Sequence, residues 1–141
     1  MVCFLAISLM CLSLFWVIMA MSREQIVNSG KMFKKTCMNK NAITEEHLQM
    51  ITKGTFPEDR EVMCFIACLF TMAQGIKNNK INHDGIIKNV EMMFPEDMKQ
   101  PVISTVQQCR GVAKKYKDIC EASFYTTKCM HDADPKNFLF V

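Results

Sequence analysis

Charge is missing from the beginning of the chain. Residues 2–20, VCFLAISLMCLSLFWVIMA, contain no Asp, Glu, Lys or Arg, and the charged stretch SREQ follows at Ser22. An uncharged N-terminal run that ends in small residues is the pattern of a secretory signal peptide. Ala20 and Ser22 satisfy the small-x-small rule, so cleavage is expected after Ser22, with the position after Ala20 as second choice. The competing reading is an uncleaved anchor helix, because the run approaches the ~20 residues that span a bilayer and its start lacks a Lys or Arg. With cleavage, residues 1–22 are a signal segment and residues 23–141 form one secreted, extracellular domain with no stable membrane insertion. Trp16 is the single tryptophan, so the cleaved chain has none.

Patterns that carry chemistry are missing as well. There is no Ser-His-Asp spacing, no metal-binding cluster and no phosphate-cradling loop, so no enzyme, cofactor or metal site is expected. The net charge of +3 is mildly basic and gives no nucleic-acid or polybasic-membrane signature. Lys34-Lys35 and Lys114-Lys115-Tyr116-Lys117 read as solvated helix faces. No Asn-x-Ser/Thr acceptor occurs, which excludes N-glycosylation. Repeats and low-complexity stretches are absent. Half of the residues are hydrophobic and 22% are charged, which excludes a disordered tail.

Cysteine is abundant, with eight in the chain. Cys3 and Cys11 leave with the signal segment. Cys37, Cys64, Cys68, Cys109, Cys120 and Cys129 remain, and an even number in a small exported chain reads as three disulfides. Thiols tied up in this way are not available as zinc ligands.

The mature chain reads as all helix, with no clear alternating strand. A first helix is predicted over 23–39, with Ile26, Phe33 and Cys37 near one side. A second starts at the N-cap Thr44, carries Leu48 and Ile51, and stops near Gly54. A third opens after Pro57 with Glu58 and Asp59. Its body, VMCFIACLFTMA over 62–73, is apolar on all sides, which predicts a helix buried on all sides. It is too short to span a membrane. A fourth covers 84–94, capped by Asp84 and ended by Pro95. A fifth covers 101–117, with Val102, Val106, Cys109, Ala113 and Tyr116 at three- and four-residue steps. A sixth covers 119–130. The linkers are GTFP, KNNKIN and PEDMKQ, and the tail DPKNFLFV is expected to be extended.

Cys64 and Cys68 stand one turn apart on one face of the third helix. Side chains stacked side by side cannot bond each other without unwinding the helix, so each must reach a different segment. That removes three of the 15 possible pairings. The third helix then becomes a double staple, each bridge contributing roughly 3–4 kcal/mol in the loop-entropy model.

Successive cysteines are separated by 26, 3, 40, 10 and 8 residues. This spacing over the whole mature chain resembles the six-cysteine insect odorant-binding proteins, of the general and pheromone-binding type. The ending ADPKNFLFV is similar to the tails of mosquito-type members. The resemblance implies an all-α fold of six helices around an apolar cavity, with pairings Cys37–Cys68, Cys64–Cys120 and Cys109–Cys129. It implies carriage of small hydrophobic volatiles, odorants or pheromones, through sensory lymph, with an olfactory receptor as partner and a monomer or homodimer as the carrier. A carrier of hormones or fatty acids in haemolymph or another secreted fluid is the nearest alternative on the same fold.

A carrier of apolar ligands needs a concave apolar lining with few polar groups. The inward stripes of the fourth and fifth helices supply Ile87, Val90 and Phe94, then Val102, Ile103 and Val106. The resemblance adds Phe124 and Met130, and makes Phe138, Leu139, Phe140 and Val141 a lid. Ordinary core packing is the competing role for each. Methionines at 32, 50, 63, 72, 92, 93 and 130 either adapt to ligand shape or fill gaps in a core. Thr105 and Thr71 are candidates to hydrogen-bond a ligand oxygen, or bond their own helix backbone instead.

In related proteins the C-terminal carboxylate closes the cavity through polar contacts that weaken in acid. Here Lys34 or Lys35 is the candidate partner for Val141. A tyrosine found just after the second cysteine in some relatives is Phe65 here. His83 and His131 are candidates for a response near pH 6.5. His83-Asp84 and Cys129-Met130-His131-Asp132 are superficially similar to secreted phospholipase A2, but the adjacent cysteines and Gly-rich calcium loop of that site are absent. Saposins share six cysteines but pair them mainly between the chain ends, and plant lipid-transfer proteins use eight.

Overall fold

The structure, a computed structural model, describes residues 20–140. Residues 1–19, most of the expected signal segment, and the C-terminal Val141 lie outside the described residues. Among the described residues six α-helices follow one another: α1 (Arg23–Asn41), α2 (Glu45–Thr52), α3 (Arg60–Met72), α4 (His83–Met93), α5 (Glu96–Gln108) and α6 (Ile119–Ala133). A hairpin, β1 (Ile76–Lys77) and β2 (Lys80–Ile81), joins α3 to α4, and a single 3-10 turn over Ala113–Lys115 precedes α6. The protein has the six-helix, three-disulfide fold that the cysteine spacing suggested.

The helix starts follow from local chemistry. Ser22 and Thr44 cap α1 and α2 through reciprocal capping boxes with Gln25 and His47. Asn82, and not Asp84, caps α4, its side chain accepting from the Gly85 N–H. Asp84 sits in the first turn and pairs with Arg110 at 2.7 Å. The fifth helix also starts earlier than expected. Pro95 is its N-cap, and Glu96 and Asp97 stabilise its first turn. The segment PEDMKQ is therefore helix, not linker. Pro101 lies inside α5 and forgoes a backbone bond there. The helix ends at Gln108, so Cys109, Ala113 and Tyr116 do not continue its stripe.

The linker KNNKIN is the other departure. Asn78 and Asn79 both have positive φ, the backbone of a two-residue hairpin turn that asparagine tolerates, and Ile76 pairs with Ile81 across it. After α6 the tail makes a turn, not an extended strand. Asp134 accepts from the Asn137 backbone at 3.2 Å and from its side chain at 2.7 Å.

α3 packs most extensively against α6 and next against α1. Val62, Phe65, Ile66 and Phe124 meet Leu48, Ile51 and Phe56 in the core. The burial of α3 is one-sided in its second half: Leu69 and Phe70 are half-buried, and Met72 is exposed. The all-round apolar helix is thus core at one end and cavity wall at the other. Cys37–Cys68, Cys64–Cys120 and Cys109–Cys129 are bonded, with Cα separations of 5.7, 4.5 and 5.9 Å.

Asp118 works at two places at once. It caps α6 through the Glu121 N–H and holds Arg60 at the start of α3 through two bonds of 2.6 and 2.9 Å. The guanidinium keeps its carboxyl down at about 2, from an ordinary 3.8. A depressed carboxylate stabilises the fold above its unfolded value and stops doing so as it protonates. The melting temperature should therefore fall more steeply between pH 4 and 2 in the wild type than in Asp118→Asn, which keeps the cap. Parallel curves would show that the pair contributes nothing.

Candidate functional site

The half-exposed end of α3 faces α4 and the C-terminal tail. On α4, Ile86, Val90 and Phe94 follow a four-residue step and share one face. They line two adjoining chambers of about 190 and 260 Å³. Pro101, Val102 and Thr105 of α5 close the first chamber. Ile66, Leu69, Phe70 and Ala73 of α3, with Thr127 of α6, wall the second. Met130, Phe138 and Leu139 line both, and Phe140 reaches the second.

The tail lies over these chambers on aromatic contacts. Phe138 sits edge-on to Phe56 at 6.3 Å and to the His131 ring at 5.1 Å. Phe140 packs on Phe65 at 6.2 Å and stacks with Phe138 at 6.0 Å. Phe65, at the position where some relatives carry tyrosine, is fully buried beneath the lid. His131 is held in place from the other side by Gly54, where an added Cβ would come within 2.7 Å of the imidazole. Lys34 lies 3.8 Å from Glu45, and the expected partnership of Lys34 or Lys35 with Val141 falls outside the described residues.

Eight of the expected lining residues meet at the chambers: Val90, Phe94, Val102, Thr105, Met130, Phe138, Leu139 and Phe140. Ile103, Val106 and Phe124 are instead buried core. Phe124 packs edge-on to Phe56 and Tyr125. Ile87 is half-buried and lines neither chamber, while its neighbour Ile86 lines both. Stepping back by four from Val90 reaches Ile86, and the three-residue step to Ile87 selected the wrong side. The α3 wall was missed because an all-apolar segment shows no face. Among the methionines, Met130 lines the chambers and Met63 is buried, but Met32, Met72, Met92 and Met93 are exposed and serve neither expected role.

The polar residues at the site are few: Thr105, Asp134 and Asn137 border the first chamber, and Asn89 and Thr127 the second. Thr105 and Thr71 donate to the carbonyls of Val102 and Ala67, each at 2.9 Å, which is the backbone alternative. Asn89 donates to the Ala73 carbonyl at 3.3 Å. Thr127 borders the second chamber, and its hydroxyl is covered by protein atoms and has no hydrogen-bond partner. A buried hydroxyl left unmet costs about 1–3 kcal/mol. Among the described residues no group of His, Cys, Asp or Glu could hold a metal ion, and no helix is long and apolar enough to cross a membrane.

A disulfide-stapled helical bundle around an apolar chamber defines a small-ligand binding module. Residues 19–133 match the PBP/GOBP family, and the chain belongs to it. It is 26% identical over 121 residues to general odorant-binding protein 72 of Anopheles gambiae, covering 86% of this chain and 99% of that one. The structure is similar to odorant binding protein 5 of Apis mellifera, with a TM-score of 0.73, 26% identity, and coverage of 87% and 100%. Odorant binding protein 4 of Chrysopa pallens has the same fold, with a TM-score of 0.76, 23% identity, and coverage of 84% and 98%.

A separate polar cleft of about 720 Å³ lies between the hairpin, the 3-10 turn and the start of α6, lined by Lys80, His83, Arg110, Lys114 and Lys117 among others. Burial pushes the His83 imidazole below its ordinary 6.5, with Arg110 and Lys114 adding to the effect and Asp84 opposing it. A histidine whose folded value is depressed stabilises the fold above 6.5 and stops doing so as pH falls through the lower folded value. The melting temperature should drop from pH 7 to pH 5, and by less in His83→Asn. An identical drop in both would uncouple His83 from folding.

Proposed function

We propose that this protein is a secreted carrier that holds small hydrophobic volatiles, odorants or pheromones, in the chambers under its C-terminal tail and moves them through sensory lymph to olfactory receptors. The observation that carries this reading is a largely apolar hollow overlain by the chain's own aromatic end. Val90, Phe94, Val102, Thr105, Met130, Phe138, Leu139 and Phe140 are its proposed contacts. Pockets for drug-sized ligands start at roughly 300 Å³. Chambers of about 190 and 260 Å³ fit a smaller molecule.

Release is proposed to follow acidification. His131 touches Phe138 at the root of the lid, with the Asp132 carboxylate 3.2 Å from its Nδ1.

The oxidised mature chain, loaded with a fluorescent apolar probe, should show saturable binding. Volatile alcohols, aldehydes, esters or fatty acids should displace the probe at micromolar concentration. Val90→Phe, which projects bulk into both chambers, should weaken binding by about ten-fold with helicity intact, a loss of ~1.4 kcal/mol. No saturable binding by the wild type would overturn the carrier reading. Repeating the titration at pH 5 should give weaker binding, and equal affinity at pH 7 and pH 5 would remove acid release.

The cap at Ser22 bears on processing. Ser22 closes the first turn of α1, and the Met21 N–H donates to the Met93 carbonyl at 2.8 Å. Cleavage after Ser22 would remove both contacts, while cleavage after Ala20 keeps them. The favoured site is therefore after Ala20. Intact mass of the secreted protein should match a chain starting at Met21, and a start at Arg23 would refute this.

A further inference from the structure

The polar cleft between the hairpin, the 3-10 turn and the start of α6 shares no lining residue with the two chambers. Its charge is lopsided. Lys80 of β2, Arg110 after α5, Lys114 of the 3-10 turn and Lys117 line it beside a single carboxylate, that of Asp118. Both charges with partners are already committed. Asp118 holds Arg60 through bonds of 2.6 and 2.9 Å, and Arg110 pairs with Asp84 at 2.7 Å. Lys80, Lys114 and Lys117 are exposed, and among the described residues none of the three has an acidic partner. The excess is felt at His83 on the cleft wall. Burial first, then the charges of Arg110 and Lys114, hold its imidazole below 6.5, although Asp84 opposes them.

Other parts of the wall are hydrocarbon. Ile81, Tyr116 and Ile119 are half-buried, which leaves part of each open to the cleft. The Tyr116 ring is held by stacking on Tyr125 with centroids 4.4 Å apart. A volume of about 720 Å³ far exceeds what a small inorganic anion needs. Unpaired ammonium groups beside open hydrocarbon suit a molecule with one anionic head and an apolar chain. We propose that this cleft is a second ligand site, which takes fatty-acid anions with the carboxylate on Lys80, Lys114 and Lys117 and the chain against Ile81, Tyr116 and Ile119. The site is separate from the chambers and does not depend on what they carry.

The test uses the full oxidised chain and sodium dodecanoate below its micelle concentration. Acetate supplies the head alone and dodecan-1-ol the chain alone. The readout is the pKa of the His83 imidazole by NMR, with His47 as internal reference. An anion in the cleft favours the protonated ring. Dodecanoate should therefore raise the His83 value saturably, and neither acetate nor dodecan-1-ol at the same concentration should move it. Val90→Phe, which obstructs the chambers, should show the same rise. Lys80→Gln, Lys114→Gln and Lys117→Gln alter exposed side chains, and each should weaken dodecanoate binding at the cleft by about two- to five-fold, the range of an exposed ion pair. Lys35→Gln on α1, which does not border the cleft, should bind like the wild type. No rise with dodecanoate, an equal rise with acetate, a rise lost in Val90→Phe, or unchanged affinity in all three cleft variants would overturn the assignment. Probe binding in the chambers is measured separately, so its failure would overturn the carrier reading alone.

Discussion

Cys64 and Cys68 stand one turn apart on α3 and tie that helix to α6 and to α1 at once. Everything else in the bundle depends on this double attachment. A helix bundle without a ligand closes its gaps, because unfilled volume costs about 24 cal/mol per Å³. Bridges that each contribute about 3–4 kcal/mol act largely on the unfolded chain, by removing its freedom. They stabilise the fold without requiring side chains in the middle. The third bridge extends the same logic to α5, by joining Cys109 at its end to Cys129 on α6. The walls are fixed by covalent bonds at their cysteines, so α3 can use its first half as core and its second half as lining.

Much of this was legible in the residues. The N-cap Thr44, and an i, i+4 cysteine pair that cannot close on itself, are local signals that survive folding. The hairpin and the early start of α5 were equally local and still escaped. Asn78-Asn79 is a two-residue turn of the kind hairpins favour, but with two residues per strand no alternation is available to reveal it. Pro95-Glu96-Asp97 repeats the Pro57-Glu58-Asp59 pattern ahead of α3. The internal Pro101 drew attention away from it, since proline prefers the first turn of a helix.

The site itself was only half legible, for a reason of geometry. A stripe on one helix tells which residues face inward, and it does not tell whether they meet atoms or empty space. Val106 and Thr105 are adjacent and both buried, yet only Thr105 borders a chamber. Phe124 looks like a wall and is core, because Phe56 from the α2–α3 linker fills the space in front of it. That contact joins residues 68 positions apart, and no periodicity within a single helix encodes it.

The lid shows how sequence chemistry and binding are coupled. Its described contacts are aromatic: Phe138 on Phe56 and the His131 ring, and Phe140 on the buried Phe65. Apolar closure scales with buried area, at about 25 cal/mol per Å², and has no strong directional demand. Under the proposed function, a ligand below Phe138 and Leu139 would add apolar surface to the underside of the tail and so strengthen the closure that retains it. The limit comes from size. A molecule too large for the chambers must lift Phe138 off Phe56 and His131, giving up protein contact for ligand contact area by area. A lid of this kind therefore discriminates mainly by ligand volume. Finer chemical discrimination has to come from the few polar residues that border the chambers.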